Sequence, residues 1–160
     1  MRRVVLILIV SLLFLSGCRE SDYISDTQLA SNLSNELLAL LNNRDCNGLK
    51  GVFSKDIQDT VDLEKQIEDF FVIFEGNISD SDIDFGHSSE SIRDGQVTER
   101  YISAYIHIET ETGRKYTIYY ACYPVIERKP SMQGIYRISI TTETEDEYLI
   151  GKHISMSDLE

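Results

Sequence analysis

A thiol at position 18 is the residue best placed to do chemistry. It closes the string Leu15-Ser16-Gly17-Cys18, which follows an apolar run from Val4 to Leu15 behind Arg2 and Arg3. Small Ser16 and Gly17 let an extended backbone enter a peptidase, and the Cys18 sulfur can then take a diacylglyceryl group. A charged start, a short apolar run and small residues before the cut have the form of a bacterial lipoprotein signal. The run is too short for a spanning helix, which needs about 20 apolar residues. The expected parts are a signal peptide over residues 1–17, a lipidated Cys18 with a polar tether over 18–24, and one domain over 25–160. The lipid on Cys18 is then the contact with the membrane, on the extracellular side of the cytoplasmic membrane. Acyl chains contribute about 0.8 kcal/mol per buried methylene, so attachment is firm once more than one is present.

The remaining reactive residue types assemble no familiar motif. Asp80-x-Asp82-x-Asp84 starts like a calcium loop, but Phe85 stands where the loop needs Gly and Ser91 where the closing Glu belongs. His87, His107 and His153 are far apart and lack metal-ligand spacing. Cys46 and Cys122 make no C-x-x-C, and both are expected to be buried free thiols. Asn32-Leu33-Ser34 and Asn77-Ile78-Ser79 match the glycosylation acceptor pattern, which a bacterial surface protein has no occasion to use. No catalytic residue, metal or cofactor is assigned.

Charge narrows the partners. The chain carries 15 basic and 27 acidic residues, a formal charge of −12, and removal of Arg2 and Arg3 leaves 13 basic against 27 acidic. Such a surface repels phosphate backbones, so nucleic-acid binding is excluded as an expectation. It also discourages lying against anionic lipid, which leaves attachment to the Cys18 lipid alone.

The elements follow from periodicity. Ser25-Asp26-Thr27-Gln28 has the form of a capping box, and Leu29, Leu33, Leu37, Leu40 and Leu41 place one apolar stripe on a helix to about Asn43. Asp45 caps a second, shorter helix through Leu49, Val52 and Phe53. Asp59 or Thr60 opens a third, carrying Leu63, Ile67, Phe70, Phe71 and Phe74, with Gly76 at its C-terminal cap. From Asp82 the period becomes two, and Asp94-Gly95 and Thr112-Gly113 mark hairpin turns. Three N-terminal helices on a curved antiparallel sheet is the expected α+β fold.

Alternation divides the sheet. Ile102, Ala104, Ile106, Ile108, Ile118, Tyr120, Cys122, Tyr136, Ile138 and Ile140 are expected to face the helices. The opposite face is expected to carry Tyr101, Ser103, Tyr105, His107, Thr117, Tyr119, Tyr123, Arg137 and Ser139. Of these, Tyr101, Tyr105, His107, Tyr119 and Tyr123 form a candidate interaction face, because cross-strand rings touch and present flat amphipathic surfaces. A homodimer packed back to back, or a surface protein or glycan, would cover it, with self-association the preferred reading.

Three strings carry a family resemblance: Leu49-Lys50-Gly51-Val52-Phe53-Ser54, the stretch Ile67-Glu68-Asp69-Phe70-Phe71-Val72-Ile73-Phe74-Glu75-Gly76, and Glu90-Ser91-Ile92-Arg93-Asp94-Gly95. From about Leu29 to Gly151 the chain resembles an uncharacterised lipoprotein family, a domain of unknown function, of Gram-positive, mainly clostridial, bacteria. The resemblance implies a nuclear transport factor 2-like (cystatin-like) cone and a Gram-positive cell surface, and it brings no catalytic residues. The function expected is a non-enzymatic binding or accessory domain held at the membrane. The alternative is a small ligand carrier or an isomerase- or cyclase-like enzyme using an interior pocket. That alternative needs a tuned Asp or Glu beside a donor such as Tyr120 or Tyr136.

Overall fold

The computed structural model of the chain describes residues 24–159, so Cys18 and the run before it lie outside the described residues. The first helix, α1 (Asp26–Asn42), starts where the capping pattern puts it: Ser25 accepts from the Gln28 amide at 3.2 Å. Its stripe buries Ala30, Leu37 and Leu41, with Leu29 and Leu33 packed at the margin. Asp45 caps α2 (Cys46–Gly51), accepting from the Gly48 amide at 2.9 Å.

Four α-helices, not three, precede the sheet among the described residues. The chain leaves α2 because Phe53 pairs with Ile135 in a parallel bridge. The Ser54 amide donates to the Ile135 carbonyl at 2.7 Å, and the Ile135 amide to that of Val52 at 3.1 Å. A helix cannot continue through amides committed to a strand. Ser54 then flanks a new turn, α3 (Lys55–Thr60), which buries Ile57 completely. The last helix, α4 (Leu63–Ile73), is opened by Asp62, whose side chain accepts from the Lys65 amide at 3.3 Å, rather than by Asp59 or Thr60.

The second half is a five-stranded antiparallel sheet in sequential order. Its strands are β1 (Ile78–Arg93), β2 (Gln96–Thr110), β3 (Lys115–Ile126), β4 (Gly134–Thr142) and β5 (Glu147–Gly151). Asp94 and Gly95 both take positive φ, 52° and 77°, the signature of the tight turn expected between β1 and β2. β1 begins four residues before Asp82, helped by the Asn42 side chain, which accepts from the Ile78 amide at 2.9 Å. Asp80, Asp82 and Asp84 therefore lie on an extended strand, opposite Glu109, His107 and Tyr105, and not in a loop.

The main core lies between the helices and one face of the sheet. Ile102, Ala104, Ile106, Ile108, Ile118, Tyr120, Cys122, Ile138 and Ile140 all face inward as alternation predicts, and pack with Leu37, Leu49, Ile57, Ile67 and Phe70. Tyr136 is the exception. The register steps from Ala121 opposite Arg137 to Cys122 opposite Ile135, so one extra residue enters β4 at Tyr136. That bulge reverses the alternation. Ile135 takes the core position at 1% exposure, and the Tyr136 ring stacks on Tyr123 at 5.6 Å.

Candidate functional site

The outer face is a single layer of tyrosine rings laid over small residues. Ser103, Ala121 and Ser139 point away from the helices yet are 2%, 0% and 4% exposed. Tyr105 pairs across the strands with Tyr119, and Tyr119 with Ser139, so large and small side chains alternate and the rings lean over the gaps. Tyr105 and Tyr119 have ring centroids 5.0 Å apart, Tyr101 and Tyr123 5.5 Å. The hydroxyls of Tyr101 and Tyr119 share a hydrogen bond of 3.1 Å. Tyr136, which alternation assigns to the core, completes the row.

Around this layer sit the polar groups. The Arg137 guanidinium lies 5.4 Å from the Tyr119 ring centre, donates to Ser139 Oγ at 2.9 Å and meets Glu147 at 3.2 Å. His107 lies 3.2 Å from Thr117 Oγ1 and 3.3 Å from an Asp84 oxygen. Burial raises Tyr119 to about 12, helped by Tyr101, and burial also raises Tyr123 and Tyr136. These three phenols therefore stay protonated at neutral pH, and the layer offers rings and neutral hydroxyls. Of the five residues expected on this face, Tyr101, Tyr119 and Tyr123 are half-buried in the layer. Tyr105, 42% exposed, and His107 present themselves to solvent.

The core face has a different chemistry. Tyr120 is fully buried, and its hydroxyl donates to the Ala30 carbonyl at 2.8 Å and lies 3.1 Å from Ser34 Oγ. Burial pushes its phenol up to about 12. The polar residues buried among the described residues are four serines, one threonine and Arg100, so no described carboxylate stands beside Tyr120 in the core. Arg100 is the inward-facing charge that the reading from sequence passed over. Its even number in β2, in step with Ile102 and Ala104, already placed it on the core face. Its Nε donates to Asp26 Oδ1 at 2.6 Å and its Nη2 to the Ile24 carbonyl at 2.7 Å.

Cys122 is buried and Cys46 half-buried, and both are free thiols; Cys46 is thus more open than expected. Burial raises the Cys122 thiol to about 12. A neutral alkylating reagent should therefore label Cys46 in the folded domain and reach Cys122 only after denaturation. Equal labelling of both, read by peptide mass, would contradict this placement.

The arrangement defines an α+β domain with a helix-covered core face and an aromatic outer face. A family model described as a domain of unknown function (DUF5104) matches residues 36–143, more than half of the chain, and the chain belongs to that family. The match runs from the last two turns of α1 through the end of β4, and so contains the whole tyrosine layer. No curated protein matches the chain.

Proposed function

We propose that this chain is a lipid-anchored, non-enzymatic binding or accessory domain of a Gram-positive cell surface, held at the extracellular side of the cytoplasmic membrane through Cys18. It works by keeping a partner near the bilayer, docked on the outer sheet face around Tyr105 and His107. The observation that carries the reading is the tyrosine layer, an amphipathic surface on the side of the sheet opposite the helices. A nuclear transport factor 2-like cone is the fold we assign. The order of one long helix, three short ones and a meander of long, bulged strands supports it.

The rival reading, a ligand carrier or isomerase-like enzyme, needs a carboxylate beside an available donor in the core. Tyr120 has its hydroxyl committed to Ala30 and Ser34, which favours the docking reading. Two measurements test it. Cys18→Ser should move the protein from the membrane fraction to the medium, and persistent attachment would refute the anchor. A photo-crosslinker at position 105 on intact cells should give discrete adducts, whereas one at Val72, 80% exposed on α4, should not. Equal yields would refute the face.

A further inference from the structure

The string Ser91-Ile92-Arg93-Asp94-Gly95 has no part in the outer face, and its placement points elsewhere. It forms the tip of the β1–β2 hairpin, where every residue from Ser89 to Gln96 is exposed and Ile92 is 64% exposed. An aliphatic side chain left that open beside an arginine resembles an interface anchor more than a turn residue. The Arg93 side chain makes no hydrogen bond or ion pair with another described residue.

A receptor of matching chemistry lies on the same chain. Between α1 and the sheet runs a groove of about 220 Å³ walled by Leu29, Leu33, Val52, Ile102, Pro124 and Ile135. That is below the range of about 300–1,000 Å³ typical of pockets that enclose small molecules, and it suits one aliphatic side chain. At its rim stands the Glu36 carboxylate, exposed and likewise without a described partner.

We propose that this groove receives the β1–β2 hairpin of a second copy, with Ile92 inserted between the apolar walls and Arg93 paired with Glu36. A copy cannot fill its own groove. Gln96 and Ile102 are six residues apart on one hydrogen-bonded strand, which keeps the tip about 20 Å away. The contact joins two different patches, so it is heterologous and propagates into a ring or a row along the membrane. It uses neither Cys18 nor the tyrosine layer, and stands or falls apart from the function proposed above.

Disulfide trapping on the intact chain tests it, in a Cys46→Ser background. Mixing an Ile92→Cys chain with a Leu33→Cys chain should give a covalent dimer that neither gives alone. Adding Arg93→Glu to the first should lower the yield by about tenfold or more, as losing a desolvated anchor charge does. Adding Glu36→Arg to the second should then restore it. No dimer, an equal yield with Val72→Cys in place of Leu33→Cys, or indifference to Arg93→Glu would overturn the proposal. Ile92, Arg93, Glu36 and Val72 are exposed, and Leu33 and Cys46 are only half-buried, so no variant removes a fully buried core side chain.

Discussion

Replacing Tyr120 with Ala should remove about 3–5 kcal/mol of unfolding free energy, the range for an aromatic lost from a packed core. Tyr120 is fully buried, at the middle of β3 and against α1, so no solvent-facing collapse can refill its volume. Tyr120→Phe should cost far less, about 1 kcal/mol. Ser34 stands one helical turn after Ala30, and its hydroxyl can bond back to the Ala30 carbonyl that Tyr120 releases. Urea unfolding followed by circular dichroism measures both. Alkaline titration adds a second readout. The folded phenol is raised to about 12 against an ordinary value of 10, so its contribution is complete below pH 10 and is lost as pH rises through 12. The Phe variant should lose less stability over that window than the parent. A loss below about 1 kcal/mol for the Ala variant, the level of ordinary surface changes, would mean that the ring lines an open site instead of filling the core.

Much of this arrangement was legible in local pattern, and the failures have local causes. Asp94-Gly95 announces its turn because Asp-Gly is one of the few pairs that accept two consecutive positive φ angles cheaply. Ser25 announces α1 because its side chain satisfies an amide that the helix leaves open. The inward set from Ile102 to Cys122 follows from strict alternation. What alternation cannot see is a change of register: the extra residue in β4 costs nothing in composition, yet it moves Tyr136 from core to outer layer. Nor does periodicity reveal that Phe53 and Ser54 bond to Ile135, a partner far along the chain, which divides one expected helix boundary into two. Alternation places Tyr101, Tyr105, Tyr119 and Tyr123 on the outer face among Ser103, Ser139 and other polar residues, with the rings as the candidate contact surface. The actual design of that face depends equally on Ser103, Ala121 and Ser139, small residues whose role appears only once neighbouring strands set rings above them.

Arg100→Met should destabilise the domain by about 2–3 kcal/mol. Removing one partner of a buried ion pair commonly costs more, but a quarter of the Asp26 side chain meets solvent and can rehydrate. Met keeps the apolar stem and removes the guanidinium, so the loss reports on charge and hydrogen bonds rather than on packing. Acid should expose the same pair. Burial alone would raise the Asp26 carboxyl, but hydrogen bonds from Ser88 and Arg100, with the Arg100 charge, outweigh it and hold the group below its ordinary value of 3.8. A depressed folded value means stability that is present above 3.8 and lost as pH falls through the lower folded value. Thermal melts from pH 7 downward should therefore show the parent losing stability below about pH 4, and the Arg100→Met variant losing less of it. Parallel acid curves for the two would show that the pair contributes nothing. The consequence reaches beyond stability, because the same guanidinium holds the carbonyl of Ile24, the first described residue. Under the anchoring proposed above, any pull on Cys18 would enter the domain at this point, next to the first turn of α1. Without Arg100 that turn keeps the Ser25 cap and the Ser88 hydrogen bond to Asp26 but loses its tie to the core face of the sheet, and fraying there should appear as faster amide exchange over Asp26 to Ala30 while the sheet stays protected.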